Sequence, residues 1–376
     1  MPIISPSTLT RLISQIQRHS HAWLESGSEL VVPPRQIVRK FSLMLRFLVK
    51  DSSVGNRAIL VKIARYQGMD FDVAVADQSL VMGTIREYEM LRSIERIFSR
   101  EMPERIFCHV RPLAVLEEWN ALVTEELVCV PLKNYYFSIP LLLGWTKDWQ
   151  TFEILLERSG HWLRVYHQGM GAQGVDTLQQ TRLHEKIEEL LTQVLTVMPG
   201  KEAGQIRNMV EISFSEAPFL SLPMAVLHGD FHCSNLLITP DLRVGSLDAD
   251  AGRGPIYEDI AKLIADLETR SLQVYTFGLF IPPHRMTRLR NAVLRGYFAS
   301  TQVNQYLLES FLTLAILTKW KIDEELLMNA TGIQRIIRKI LSPFRRRYML
   351  HILKKHLSVL ALEIESLQSA ESTVAV

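Results

Sequence analysis

Cysteine is scarce: Cys108, Cys129 and Cys233 are the only three in 376 residues. They are odd in number, far apart and contain no CxxC pair, which excludes a disulfide framework and suits a reducing compartment. Excess charge is also missing. With 42 Lys+Arg against 40 Asp+Glu the formal net charge is +2, so nothing global demands nucleic acid or an acidic partner. Long apolar runs are absent; "SIPLLLGW" and "TFGLFIPP" are far short of the ~20 residues that a membrane span requires. The opening "MPIISPSTLTRLISQIQRHS" has no basic start leading into an unbroken apolar stretch, so no secretory signal is read. There is no internal repeat and no low-complexity tract. What is present, 47% hydrophobic and 22% charged residues, excludes wholesale disorder. The length suits two lobes with separate cores, and the expected location is cytoplasmic.

The pattern along the chain changes twice. Residues 1–30 suggest a short helical extension ending in the polar break "ESGSE". From Gln36, "QIVRKFSLMLRFLVK" and "RAILVKIAR" read as β-type runs joined by the turn-rich "DSSVGN". Next, "SLVMGTIREYEMLRSIERIFSR" has Ile85, Met90, Leu91, Ile94 and Phe98 at the spacing of an amphipathic helix. Two more strand-like pieces follow, "IFCHVRPLAVLEE" and "NALVTEELVCV". The order describes a small antiparallel sheet with one helix on it over residues 31–130. After Pro131 the chain becomes mainly helical to about Leu367, with breaks expected at "IPPH" and "LSPF". Within it, "MAVLHGD", "NLLIT" and "RVGSLD" form a β-and-loop insert. The predicted architecture is α+β: a two-lobe fold with a small antiparallel-sheet N-lobe and a larger helical C-lobe over 131–376, the kind of arrangement whose cleft holds a ligand.

The chemistry concentrates in "LHGDFHCSNLL", residues 227–237. Asp230 and Asn235 stand five apart in a loop between strands, and Asp248 ends the strand after the next turn. Asn235 and Asp248 offer hard oxygens of the kind Mg²⁺ takes, and Asp230 is then free to orient and deprotonate a hydroxyl. Two other readings compete. Asp and Asn commonly supply turn hydrogen bonds, and His228, His232 and Cys233, with Asp248, are possible zinc ligands. The zinc reading requires a helix to bring the histidines onto one face, whereas the flanks here are strand-like and Gly229 lies between them.

Taken with "SLDADAGRGPIYEDIAKL", the loop resembles the paired signature of the aminoglycoside phosphotransferase/choline kinase family: HGD, two to four residues and Asn, then an acid at a strand end, then a Gly-to-Asp-Leu-Ala helix start. The resemblance implies a protein-kinase-like fold, ATP and Mg²⁺ as cofactors, and phosphoryl transfer to a small-molecule hydroxyl. It makes Asp230 the catalytic base, places His232 near the transferred γ-phosphate, and makes Asn235 and Asp248, with Asp250 as an additional ligand, the metal-holding residues. It asks for a strand lysine and a helix glutamate at the α- and β-phosphates, which "AILVKIAR" and "REYEMLRSI" supply as Lys62 and Glu87. "ALVTEELVCVPL" resembles the family's hinge, with Glu125 at its acidic position and the backbone of Glu126, Leu127 and Val128 facing an adenine ring. "WLRVYHQ" makes His167 structural, His228 braces the loop, and Asp259 anchors it through backbone hydrogen bonds.

Three features depart from the family pattern. No glycine-rich phosphate loop is present; in "RKFSLMLRF" Ser42 stands at the turn and can offer only its hydroxyl. Ala249 replaces a bulky aromatic, and Cys233-Ser234 replaces Pro-Gly. From Ser271 to Val376 there are 14 Lys+Arg against 7 Asp+Glu, a balance that disfavours polycationic acceptors. It favours a sugar, aminosugar or related glycan precursor, although Asp323–Glu325 are placed to line an amine pocket. The basic-apolar alternation of "RIIRKILSPFRRRYMLHILKKHL" also suits peripheral contact with a membrane surface. The alternative to an enzyme is a nucleotide-binding pseudokinase, disfavoured because Lys62, Asp230, Asn235 and Asp248 occur together.

Overall fold

The computed structural model describes residues 4–24, 28–50, 57–100, 106–136, 146–171, 174–176, 179–196, 200–215, 222–249 and 252–374. The chain divides into two compact units, residues 1–130 with 238–248, and residues 131–237 with 249–376.

The first unit begins with α1 (Pro6–Ser20), whose N-cap Ser5 accepts the Thr8 N–H at 3.1 Å. Then come β1 (Glu29–Leu30), β2 (Arg35–Val38), β3 (Ser42–Lys50), β4 (Arg57–Ala64), α2 (Phe71–Ala76), α3 (Gln78–Arg100), β5 (Pro112–Leu116) and β6 (Ala121–Glu125). The strands form one antiparallel sheet in the order β1-β3-β4-β6-β5, with β2 also on β3. Strict alternation puts Leu43, Leu45, Phe47 and Val49 of β3 on the same face as Ile59, Val61 and Ile63 of β4. These side chains form one buried cluster with Leu12 and Ile16 of α1, so the N-terminal helix covers one face of the sheet. Each such burial contributes about 1.5–3 kcal/mol. The opposite face of β4 carries Lys62.

The run from Gln36 to Lys50 differs from its expected single strand. Adjacent cations at Arg39 and Lys40 interrupt the alternation, and the chain turns there, the Arg39 N–H donating to Ser42 O at 2.8 Å. Ser42 is therefore the first residue of β3, buried and paired with Ala64, instead of a turn residue. The expected turn "DSSVGN" lies outside the described residues.

Between the units in sequence is β7 (Val130–Pro131). The second unit runs through α4 (Leu132–Tyr136), α5 (Thr146–Gly169), β8 (Gly174–Asp176), α6 (Gln179–Leu195), α7 (Gly200–Ser215), β9 (Leu222–Leu227) and β10 (Leu236–Ile238). After β11 (Val244–Ser246), which belongs to the first unit, come β12 (Gly252–Pro255), α8 (Ile256–Glu268), α9 (Ser271–Tyr275), α10 (Pro283–Phe298), α11 (Gln305–Met328) and α12 (Gly332–Val374). Strands β8, β9 and β12 pair antiparallel. Helices α5 and α10 approach backbone to backbone, because a Cβ on Gly296 would lie 1.9 Å from the Glu157 carbonyl oxygen.

The expected break at "LSPF" is absent; α12 continues through Pro343. Proline costs a helix one N–H donor. The stranded acceptor, the Lys339 carbonyl, receives the Ser342 hydroxyl at 3.1 Å, a local substitute that keeps the turn closed. Among the described residues no helix is long and apolar enough to cross a membrane.

The helices of this unit share a buried ionic cluster. His356 of α12 is fully buried, 2.5 Å from Glu309 of α11 and 2.8 Å from Glu268 of α8. Lys355 approaches Glu268 at 3.1 Å, and Arg290 bonds Glu309. Burial alone would drive the imidazole neutral, but Glu268 and Glu309 outweigh it and raise its pKa above 6.5. Burial pushes Glu268 up, and His356 and Lys355 outweigh that, bringing it to about 2 from 4.5. The His356 contribution is full below pH 6.5 and is lost as pH rises through the raised value; that of Glu268 is full above 4.5 and is lost as pH falls towards 2. Thermal unfolding followed against pH will show stability falling on both sides. His356→Leu will remove the alkaline fall and cost about 3–5 kcal/mol near neutrality, the penalty for stranding buried carboxylates.

Candidate active site

The loop His228–Asn235 connects β9 to β10 in the second unit, and one helix pins its backbone. Asp259, Lys262 and Asp266 lie at i, i+3 and i+7 on α8 and so share a face. Asp259 accepts the N–H groups of His228 at 2.6 Å and Gly229 at 3.0 Å. Lys262 donates to the Gly229 carbonyl at 2.6 Å, and Asp266 accepts the Cys233 N–H at 3.1 Å. Hydrogen bonds to charged groups contribute about 1.5–3 kcal/mol each. Gly229 has φ +81, a conformation open to glycine without cost.

These anchors are themselves held. Burial pushes Asp259 up, and His167, bonded to it at 3.1 Å, outweighs that and leaves the carboxyl below 3.8. Burial also opposes the charge of Asp266, but Lys319, at 2.8 Å, and Arg270 bring it well below the ordinary carboxylate range. From the other side α5 supplies aromatic walls: Trp162 stacks on Phe231 at 5.9 Å, and Trp162 and Tyr166 flank the His228 ring. His167 and His228 are thus structural, as expected from the sequence. Cys233 is fully buried and burial pushes its thiol up to about 12. Among the described residues no three His, Cys, Asp or Glu side chains group as a metal site.

With Phe231 turned into the core, its neighbours Asp230 and His232 face outward. The Asp230 carboxylate is half exposed; Oδ2 accepts from the Asn235 amide at 2.7 Å, and His232 Nε2 lies 3.2 Å from Oδ1. The Ser234 N–H donates to His232 Nδ1 at 3.1 Å, which assigns the ring proton to Nε2 and aims it at Asp230. These bonds, that from His232 foremost, hold the Asp230 carboxyl below 3.8 against the pull of burial. The structure therefore brings Asp230, His232 and Asn235 together, with His232 directed at the aspartate.

In the first unit Lys62 of β4 reaches Glu87 of α3, at 2.7 and 2.9 Å, and lies 3.6 Å from Asp248. Burial opposes the ammonium charge, but Glu87 and Asp248 outweigh it and raise its pKa above 10.5. Asn120 ties this arrangement down: its side chain accepts from Thr84 of α3 at 2.6 Å and donates to the Ala64 carbonyl, at the end of β4, at 2.9 Å. Asp248 follows β11, which is tied by Cys108 N–H to Val244 O at 2.9 Å and Val244 N–H to Ile106 O at 3.0 Å. Asp248 has φ +57, a strained conformation that aspartate tolerates better than most residues.

Other sequence candidates have different partners. Glu125 is engaged by Arg57 at 2.7 Å, and Glu126 takes both oxygens to Arg46 at 2.6 Å. The Glu126 N–H goes to Ala58 O at 2.8 Å, which removes that donor from an adenine ring. Leu127 and Val128 follow outside any strand, with Val128 exposed. Asp250 lies outside the described residues. Asp323 and Glu324, offered above as an amine pocket, are instead ion-paired with Arg345 and Arg346. The residues missed in the sequence are Lys262 and Asp266. Their signal was available: charges at helical intervals within the otherwise apolar "EDIAKLIADLE".

Residues 154–303, which include the loop, Asp248 and α8, match the family model described as phosphotransferase enzyme family, APH. Over these residues the chain is similar to that phosphotransferase family. None of the curated proteins matches the chain in sequence. A glucosamine kinase solved with glucosamine, ADP and inorganic phosphate superposes with TM-score 0.50 at 16% identity, over 98% of this chain and 87% of that one. A crystal structure from Ralstonia eutropha JMP134, named for the aminoglycoside phosphotransferases, gives TM-score 0.56 at 12% identity over 92% and 98%. An ethanolamine kinase from Plasmodium vivax gives 0.50 at 11% over 94% and 92%. These likenesses show the fold alone, the protein-kinase-like fold expected from the sequence.

Two substitutions test the supports of this site. Asp259→Asn leaves one loop N–H without its carboxylate acceptor and will lower stability by about 1–3 kcal/mol, with kcat reduced and the KM for nucleotide little changed. In Gly245→Ala the new Cβ would sit 2.4 Å from the Cys108 carbonyl, so β11 must move. The variant will unfold at lower temperature, and an unchanged Tm would remove the steric role assigned to Gly245.

Proposed function

We propose that the protein transfers the γ-phosphoryl group of ATP, with Mg²⁺, to a hydroxyl of a small molecule in the cytoplasm. The observation that carries this reading is the Asp230 carboxylate, exposed, ionised and held by both His232 and Asn235, within the matched family segment. The donor types suit the metal: Asn235 carries an amide oxygen and Asp248 a carboxylate, both hard oxygens. Magnesium there would screen the phosphate charge.

The chain's own residues do the rest. Asp230 accepts a hydrogen bond from the acceptor hydroxyl and aims its oxygen in line with the γ-phosphorus. As the new O–P bond forms and the bond to the β–γ bridging oxygen breaks, the hydroxyl proton passes to Asp230 and ADP departs. A carboxylate of low pKa is a poor base before transfer, which suits a reaction governed by positioning more than by deprotonation. His232 keeps the carboxylate ionised and oriented. Lys62, fixed by Glu87, faces the α- and β-phosphates as a point charge, and Leu127 and Val128 supply the adenine contacts. Ser42, buried in β3, is assigned no more than its backbone at the nucleotide. The cationic balance beyond Ser271 supports a sugar, aminosugar or related glycan precursor as acceptor.

Thermal shift with ATP, with and without Mg²⁺, tests nucleotide binding; absence of stabilisation in both leaves only a pseudokinase without nucleotide. ADP release against a panel of sugars, aminosugars, polyols and amino alcohols tests turnover. Asp230→Asn will lower kcat about 10²–10⁴-fold, the usual worth of a positioned acid or base, while ATP still raises Tm. His232→Ala, by removing the bond that lowers the Asp230 pKa, will shift the acid limb of kcat to higher pH.

A further inference from the structure

The first half of α12 is inverted relative to an ordinary surface helix. At 100° per residue, Ile333, Ile336, Ile337, Ile340 and Phe344 fall on an arc of about 100°, one continuous apolar stripe. Such a stripe normally faces the core. Here it faces out: Ile333 is 73% exposed, Ile340 64% and Phe344 60%. The same winding puts Arg345 and Arg346 on the far side, and these are the residues that hold the helix to the protein, through Asp323 and Glu324 of α11. Ion pairs tether the helix at Arg345 and Arg346, while over residues 332–340 the isoleucines are exposed together with Gln334, Arg335 and Lys339. Met328, at the end of α11 just before this helix, is 72% exposed as well.

The charge around the stripe selects its occupant. Residues 331–347 contain six Lys and Arg and no Asp or Glu. Exposed Lys339 and Arg335 stand about 60° and 100° beyond one edge of the stripe, with stems long enough to carry their charges past it. Two copies of the chain meeting stripe to stripe would bring these unscreened cations together. A layer of anionic headgroups over hydrocarbon is complementary to both features at once, and it is the surface that basic amphipathic helices enter. We propose that α12, over residues 332–347, docks the protein on an anionic lipid membrane, with the isoleucine stripe in the acyl boundary and Arg335 and Lys339 at the headgroups. This surface is independent of the phosphotransferase reading and places the enzyme beside acceptors that reside in or at a lipid layer.

Co-sedimentation of the full chain with vesicles of phosphatidylcholine and phosphatidylglycerol, against pure phosphatidylcholine, tests the proposal. Binding is expected only to the anionic vesicles, and high salt will release it. The double variant Ile336→Ser, Ile340→Ser will weaken partition roughly tenfold or more, and Arg335→Glu with Lys339→Glu will do so by roughly fivefold per cation. Both changes are at exposed positions, so Tm and ATP-dependent stabilisation should stay at the wild-type level; the charge pair provides the test if the serine pair does not fold. Failure to bind anionic vesicles, or binding unchanged in both variants, overturns the proposal. So does a wild-type dimer in light scattering that the isoleucine variant converts to monomer without any vesicle binding, which would assign the stripe to a second copy.

Discussion

The contact between α8 and the loop His228–Asn235 is the constraint from which the rest of the site follows. A loop of eight residues carrying two histidines, an aspartate and an asparagine has many conformations, and water competes for each of its backbone groups. Three charged side chains on one helical face remove that freedom. They meet the backbone of His228, Gly229 and Cys233, so the loop's side chains need not be spent on holding its shape. Asp230, His232 and Asn235 are released to form their own outward cluster. Charge is needed for this because the groups being held are polar and largely buried, where an unmet donor is costly. The cations around Asp259 and Asp266 are needed in turn to keep those acids ionised.

The same logic appears at Lys62. Its burial opposes its charge, and Glu87 restores it, so a lysine on a sheet face becomes a fixed cation instead of a neutral amine. Asp248 is within reach of that cation only because β11 lies against Cys108, an approach that Gly245 permits by having no side chain. Both units therefore build chemistry from buried or half-buried charge whose partner is supplied by a different element. The His356 cluster uses the same device at a site where the imidazole and both carboxylates are buried.

Helix α12 combines two surfaces in one element. Its second half places Tyr348, Met349, Leu353, His356 and Leu357 in the core, and its first half turns isoleucines outward. Pro343 lies near the change, and the Ser342 hydroxyl carries the helix across it. Ion pairs at Arg345 and Arg346 tether the helix between the two surfaces.

Much of this was legible in the chain. The helix–sheet order of residues 36–125, the loop between β9 and β10, and the start of α8 after Pro255 all follow from short-range spacing, because local periodicity and turn chemistry are written in neighbouring residues; the pairing of Lys62 with Glu87 came only as what the family resemblance implied. The family resemblance rested on the same local signals. What the tertiary structure decided are matters of long-range partnership. The side chains of Glu125 and Glu126 belong to Arg57 and Arg46; Asp323 and Glu324 looked like a pocket and proved to hold α12; the second half of "QIVRKFSLMLRFLVK" folds back on the first. An amphipathic pattern predicts a helix and its stripe, but not which way the stripe faces, since that depends on which face finds a partner elsewhere in the fold.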